Sequence, residues 1–257
     1  MIARSLIVAR KEIVDHLRDR RSLVSGALYT LMGPVVVMMV SFAGPAGGRP
    51  APLLSMLSVF ALVSAFTGGM AVAMDIAAGE RERRSLVPLL LVPIASREIV
   101  LGKWMATCAF AVGALAINIA GVAAVMALRA PGSLTASGAA LAWWVLAGLV
   151  PLACFAAALE LFASAACRTT KEANNWLTFV VFAPMMVGMF LAFHPVSTNG
   201  WLMLPLVGQQ LLVERALHGE PVAAAYAIVL AFATATAAIP ALAGAARALS
   251  RDDVLAG

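Results

Sequence analysis

Charge is what this chain has least of. Of its 257 residues, 12% are Asp, Glu, Lys or Arg and 62% are hydrophobic, whereas a soluble domain carries about 25% charged residues. Mean hydropathy is +0.94. A core cannot hide that much apolar surface, so the expected solvent is lipid. No polar segment is long enough to build an aqueous domain. Cysteine is scarce too: Cys108, Cys154 and Cys167 fall in or beside apolar runs. Three widely spaced thiols make neither a disulfide framework nor a zinc site, and read as packing or lipid-side residues. His194 and His218 are not spaced as ligands, so no metal is expected. The net charge is +5, but no basic stripe with interleaved aromatics accompanies it, which excludes a nucleic-acid surface. A phosphate-binding loop is missing: Gly102-Lys103 has Arg97 where a glycine is required, and Trp104 follows it. An intramembrane hydrolase is disfavoured as well. Glu80 and Glu82 sit outside the apolar runs with no His-x-x-x-His partner, and there is no Ser-His or Cys-His set. The first 21 residues lack a basic start followed by an apolar core and a small-residue cleavage site, so no cleavable signal is expected.

What is present is a set of long apolar runs. Uncharged stretches cover 22–48, 50–74, 104–128, 130–159, 173–193 and 221–246. Each reaches the roughly 20 residues that cross about 30 Å of hydrocarbon. Turn chemistry in GPAGGRPAP and APGSLTASG trims them. The fold class is therefore an all-α polytopic membrane protein with six transmembrane helices, at about 22–42, 53–75, 98–128, 138–166, 174–194 and 221–246. Ahead of them, Ile2, Leu6, Ala9, Ile13 and Leu17 share one helical face over 1–21, with Arg4, Lys11, Asp15 and Arg18 elsewhere. Such a helix lies in the membrane interface. Fifteen Lys and Arg fall on the side of the N-terminus and three, Arg49, Arg129 and Arg215, on the other. That places both termini and the 247–257 tail in the cytoplasm. The external segment WLMLPLVGQQLLV is too apolar for a plain loop and too short to span. It reads as a re-entrant element over 200–214, broken at Pro205. Leu204, Pro205, Gln209 and Gln210 are its candidates for an external gate.

The longest charged interruption runs from Asp75 to Lys103. Glu80, Arg81, Glu82, Arg83 and Arg84 form a mixed-charge cluster, followed by an apolar piece with Leu86, Leu89 and Leu90 that Pro93 ends. Ser85 is placed to cap a short helix, with Pro88 in its first turn; Ser96 is placed to cap the third span, with Glu98 favourable near its start. A loop over 76–97 carrying a short helix suits docking of a soluble partner. Ionisable and polar residues inside spans are functional candidates by default. Asp75, at the end of span two, is expected to pair with Arg81 or Arg83. Glu160 lies about 12 Å along a helix from Arg168. Asn118, in mid-span, is suited to a bond across helices worth about 0.6 kcal/mol.

The central segment resembles the signature of ABC-2 type exporter permeases, GE-x-E-x-G-T-L-E-x-L-L-x-x-P-x-x-R-x-x-x-x-G-K. Gly79, Glu80, Glu82, Leu86, Leu89, Leu90, Pro93, Arg97, Gly102 and Lys103 match, and Ser85 stands for Thr. Arg84 replaces the glycine and Val87 the acid. ARKEIVDHLRDRRSL at 9–23, TKEANN at 170–175 and WLMLPLVGQQLL at 201–212 are similar to the NatB-like branch of that family. That branch carries a large external domain after the first span, replaced here by about ten residues, 43–52. The resemblance implies a bacterial-type inner-membrane permease whose 1–21 helix is an elbow and whose loop carries the coupling helix. Glu80, Arg81, Glu82, Arg83, Arg84, Leu86, Leu89, Leu90 and Pro93 would dock a separate ABC ATPase, which would bind ATP and Mg; this chain would hold no cofactor. Two permease copies, as a homodimer or related heterodimer, would surround the path, and Asp75, Asn118 and Glu160 would be its path or coupling candidates. The alternative is an ion-coupled secondary transporter using Asp75 and Glu160. It explains the spans but not the docking segment, and the inverted repeat of such folds is not seen.

Overall fold

The computed structural model describes residues 2–43, 51–83, 85, 94–129, 138–194, 204–218 and 223–249. All regular structure among them is helical. Eight helices follow in order: α1 (Ile2–Arg18), α2 (Arg20–Ala43), α3 (Ala51–Ala73), α4 (Ser96–Arg129), α5 (Gly138–Ala166), α6 (Thr170–Phe193), α7 (Val207–His218) and α8 (Ala224–Leu249). α3 does not stop at Ala73. It widens into a π-helical stretch, Met74–Gly79, and closes with a short turn, Glu80–Glu82.

Five of these elements are long and apolar enough to cross a membrane: Leu57–Glu82, Ser96–Val125, Gly148–Ala166, Thr170–Leu191 and Ala224–Leu249. The first expected span, 22–42, falls on α2, in which Gly26–Met39 forms a shorter apolar helix. Between α1 and α2 the chain turns at Asp19, whose carbonyl accepts the Leu23 N–H at 3.1 Å and so opens the next helix.

Two boundaries differ from the sequence reading. The loop expected over 76–97 remains helical through Glu82, because Ile76, Ala77 and Ala78 are buried against the neighbouring helices. At the start of α4, Ser96 is not the cap. The Ala95 carbonyl accepts the Glu98 N–H at 2.8 Å, and Glu98 Oε2 accepts the Ala95 N–H at 3.3 Å. This is the acidic half of a capping box. Ser85 likewise turns back: its N–H and hydroxyl both donate to the Glu80 carbonyl.

α3 and α5 occupy the middle. Leu62, Ala65 and Phe66 of α3 pack with Ala111 and Leu115 of α4 and with Leu149, Leu152, Ala153 and Ala156 of α5. A second cluster joins the π-helical stretch through Ile76 and Ala77 to Val100, Leu161, Ala165, Ala245 and Leu249. The alanines let backbones approach closely, which is how apolar helices associate in lipid. α2 and α6 instead turn long apolar side chains outward, among them Met39, Phe42, Phe179, Phe182 and Phe190.

α7 covers part of the expected re-entrant element, and runs on to His218. Pro205 stands in the turn before it, followed by Leu206 with φ +74°. The helix is drawn into the bundle: Leu211, Leu212 and Val213 are buried.

Candidate functional site

Where α1 crosses the ends of α3 and α4, the sequence brings three buried ionisable residues together: Glu12, Glu80 and Lys103. Lys103 on α4 is 0% exposed. Its Nζ donates to Glu12 Oε1 on α1 at 3.2 Å, to Glu80 Oε2 at 2.7 Å and to the Ile76 carbonyl at 2.7 Å. An ammonium has three protons to place, and here each has an acceptor. The third is available because the π-helical stretch distorts the backbone at Ile76. The same stretch leaves the Ala78 N–H for Ser164 Oγ of α5, at 3.2 Å. Side chains from α4 and α5 thus hold in place a distortion that is frequent at functional sites.

Two features of α1 build this junction. Its packing face is Ser5, Val8, Ala9, Glu12 and His16, at helical spacings of three to four. Ile2, Leu6 and Leu17, from the apolar stripe expected to face the membrane interface, are exposed on a different side of the helix. α1 also comes very close to α4 at Gly102. A Cβ there would stand 2.6 Å from Val8 Cβ and 2.7 Å from the Ser5 carbonyl oxygen. The Gly-Lys pair therefore has a physical meaning: the glycine admits the helix and the lysine ties it down.

Around this core lies a second ring of charge. Lys11 Nζ is 3.3 Å from Glu12, 3.6 Å from Glu80 and 3.7 Å from Asp15. Partial burial alone would lower the Lys11 ammonium; the Glu12, Glu80 and Asp15 carboxylates outweigh it and hold the group above the ordinary lysine range. Arg83 donates to Asp75 Oδ1 at 2.7 Å. Asp75 Oδ2 is 3.5 Å from Nε2 of His16, whose Nδ1–H donates to the Glu12 carbonyl at 3.1 Å. Of the two partners expected for Asp75, the structure selects Arg83. Arg81 goes elsewhere, donating to the Ala165 and Cys167 carbonyls at the end of α5.

The residues read as a docking surface thus divide. Glu80, 8% exposed, faces inward onto Lys103, so its carboxylate belongs to the buried network and not to the outer face. Arg81 is half-buried, and Glu82 and Arg83 are exposed. Glu82 accepts from the Thr170 N–H and hydroxyl at the start of α6. Arg84, Leu86, Leu89, Leu90 and Pro93 lie outside the described residues.

The path candidates are scattered. Asn118 is buried, and its amide donates to the Thr30 carbonyl of α2 at 3.0 Å. That carbonyl is available because residue 34, its usual partner four positions on, is a proline with no N–H. Glu160 is 0% exposed on α5, and neither carboxyl oxygen has a hydrogen-bond partner. It is wedged between α3 and α4: a Cβ on Gly69 would stand 2.6 Å from Glu160 Oε2 and 2.9 Å from a Thr107 methyl. Asp75 and Glu160 are not brought together as an ion site. Among the gate candidates, Leu204 is exposed and Pro205 half-buried, while Gln209 and Gln210 are fully buried. Gln209 accepts the Leu206 N–H and donates to Thr234, and Gln210 donates to the Gly188 carbonyl.

Sequence reasoning missed Glu12, His16 and the inward role of Lys103. The available signal was the second stripe on α1, small and ionisable residues at helical spacing opposite a Gly-Lys pair.

The model of the ABC-2 family transporter proteins matches residues 6–254. The chain belongs to the ABC-2 transporter family. A relative, the ABC transporter permease protein NatB of Bacillus subtilis (strain 168), is 29% identical over 181 residues, which are 67% of this chain and 47% of that protein. The match therefore spans about half the length of the relative. The junction of α1, α3 and α4, with Glu80, Gly102 and Lys103, lies within the matched residues.

Proposed function

We propose that this chain is the permease subunit of an ATP-driven exporter, set in a bacterial-type inner membrane with both termini in the cytoplasm. A separate ABC ATPase binds ATP and Mg and presses on the segment that follows Glu80. The observation that carries this reading is the saturated junction at Lys103, which joins α1, the end of α3 and the start of α4. A push on the segment between α3 and α4 reaches both helices and α1 together, because one ammonium holds all three. The exposed Glu82 and Arg83 lie at the edge of that segment as docking contacts. α1 acts as the elbow, α7 as the external element, and a second copy packs on the apolar faces left open by α2 and α6.

A secondary transporter coupled through Asp75 and Glu160 is less well supported. Asp75 is engaged by Arg83, and Glu160 has no charged partner within hydrogen-bond reach. The test is a gentle pull-down of the tagged chain from its own membranes. A soluble ATPase in stoichiometric amount, lost from Glu82→Arg/Arg83→Glu while Lys103 is kept, is the expected result. Intact chain with no ATPase would reject the reading.

A further inference from the structure

His16 lines two cavities. The larger, about 500 Å³, is walled by α1, α2, α3 and α4 with side chains such as Leu23, Ala27, Val72, Phe110 and Ile117. Small-molecule sites run from about 300 to 1,000 Å³. Its room is kept by the sequence. Gly26 on α2 and Gly113 on α4 line it, and a Cβ added to either meets nothing within 4 Å. Glycine inside a helix is less favourable than alanine by about 1 kcal/mol, so these two positions preserve space at the expense of helix stability. The smaller cavity, about 240 Å³, is lined by the acids Glu12, Asp15, Asp19, Asp75 and Glu80 and by the bases Lys11 and Arg83. Among the described residues, with Lys103, which Glu12 and Glu80 share, added to the bases, the acids still outnumber the bases. His16 lines both, is buried, and its Nε2 makes no hydrogen bond.

We propose that the two cavities together bind a single-chain amphiphile with a protonated amine head. The apolar body occupies the larger cavity and the ammonium sits in the smaller, against Asp15 and Asp75 Oδ2, the oxygen that Arg83 does not hold. An ammonium brings only donors, which an acid-rich pocket can accept. A carboxylate or sulfate head would meet an excess of like charge there. This goes beyond the transporter reading and is tested on the chain alone, so its failure leaves the ATPase partnership untouched.

The experiment uses the full chain in nanodiscs of phosphatidylcholine, with dodecylammonium as probe and dodecanoate as control, both below the concentration that perturbs empty nanodiscs. Binding is read as the rise of the unfolding midpoint with probe concentration. The expected result is stabilisation by dodecylammonium and none by dodecanoate. Gly113→Leu fills the cavity and should weaken binding at least tenfold while the probe-free midpoint is kept or raised. Gly26→Leu, from the opposite wall, should do the same, and Asp75→Asn should weaken binding several-fold. Equal stabilisation by both amphiphiles, or wild-type affinity in both glycine variants, overturns the proposal. Loss of the effect when phosphatidylethanolamine is added to the nanodisc would put a bilayer lipid in the site and overturn it too.

Discussion

Glu80 and Glu160 are both acids buried among apolar helices, and the protein treats them in opposite ways. Glu80 sits at the end of α3 with Lys103 at 2.7 Å and Lys11 at 3.6 Å. Glu160 sits within α5 with nothing bonded to either oxygen. Removing one partner from a buried ion pair costs about 3–5 kcal/mol, because the other charge is left stranded. A side chain that already has no partner has no such debt to its neighbours. The comparison teaches that an acid in an apolar run is not one kind of feature. One is a structural tie across three helices; the other is a polar group held by packing alone.

The largest effect that would break this contrast is expected at Lys103. Lys103→Met leaves the buried Glu12 and Glu80 without their shared ammonium, with only Lys11 beside them, and the loss should be about 3–5 kcal/mol. The check is thermal unfolding of the purified chain together with its folded yield; a wild-type midpoint would mean the cluster is not a tie. Next comes Gly102→Ala. The added methyl meets Val8 and the Ser5 carbonyl, so α1 must move away at a cost of about 1–3 kcal/mol. Protease sensitivity of the α1–α2 connection should rise with it, and a chain as resistant as wild type would mean that α1 is not packed where we find it. A smaller effect is expected for Asn118→Ala. It removes one interhelical bond to Thr30, worth about 0.6 kcal/mol and at most about 1.7. A larger loss in thermal unfolding would give Asn118 a role beyond packing α4 on α2. Smallest is Glu160→Gln, which keeps the shape and the lack of partners. Its unfolding midpoint should stay close to wild type, because no bonded partner is lost with the carboxylate. A strong loss of stability there would show that Glu160 has a charged partner, and the contrast with Glu80 would collapse.

Much of the fold was legible because lipid imposes simple rules. Runs of about 20 apolar residues become helices, and five elements of this kind are found where the apolar runs lie. The weight of the central segment was also legible, from its charge density and its likeness to a family signature. What sequence periodicity concealed was direction. Lys103 is 91 positions from Glu12 and 23 from Glu80, and no local pattern links them. On α1, the stripe Ile2, Leu6, Ala9, Ile13 and Leu17 reads as the face turned to the membrane interface, and its large members Ile2, Leu6 and Leu17 are exposed; the second face, which packs on the bundle, is not legible from hydrophobic spacing. The buried face holds Glu12 and His16 because only there do they find partners. The π-helical stretch has no sequence signature at all; it depends on Ser164 and Lys103 arriving from other helices. For Gln209 and Gln210, position within an apolar run was a fair sign of burial. Their partners on α6 and α8 were not readable.

The central claim is that the Lys103 junction hands a push from outside to α1, α3 and α4 as one body. The most direct measurement is the ATP hydrolysis rate of the reconstituted permease–ATPase complex with Glu12→Gln in the permease. That variant keeps Lys103 on Glu80 and Ile76 and loosens only α1. The account predicts that the ATPase stays bound and the chain stays folded, while stimulated hydrolysis falls several-fold. A fully stimulated rate in a complex whose α1 has been released would contradict it.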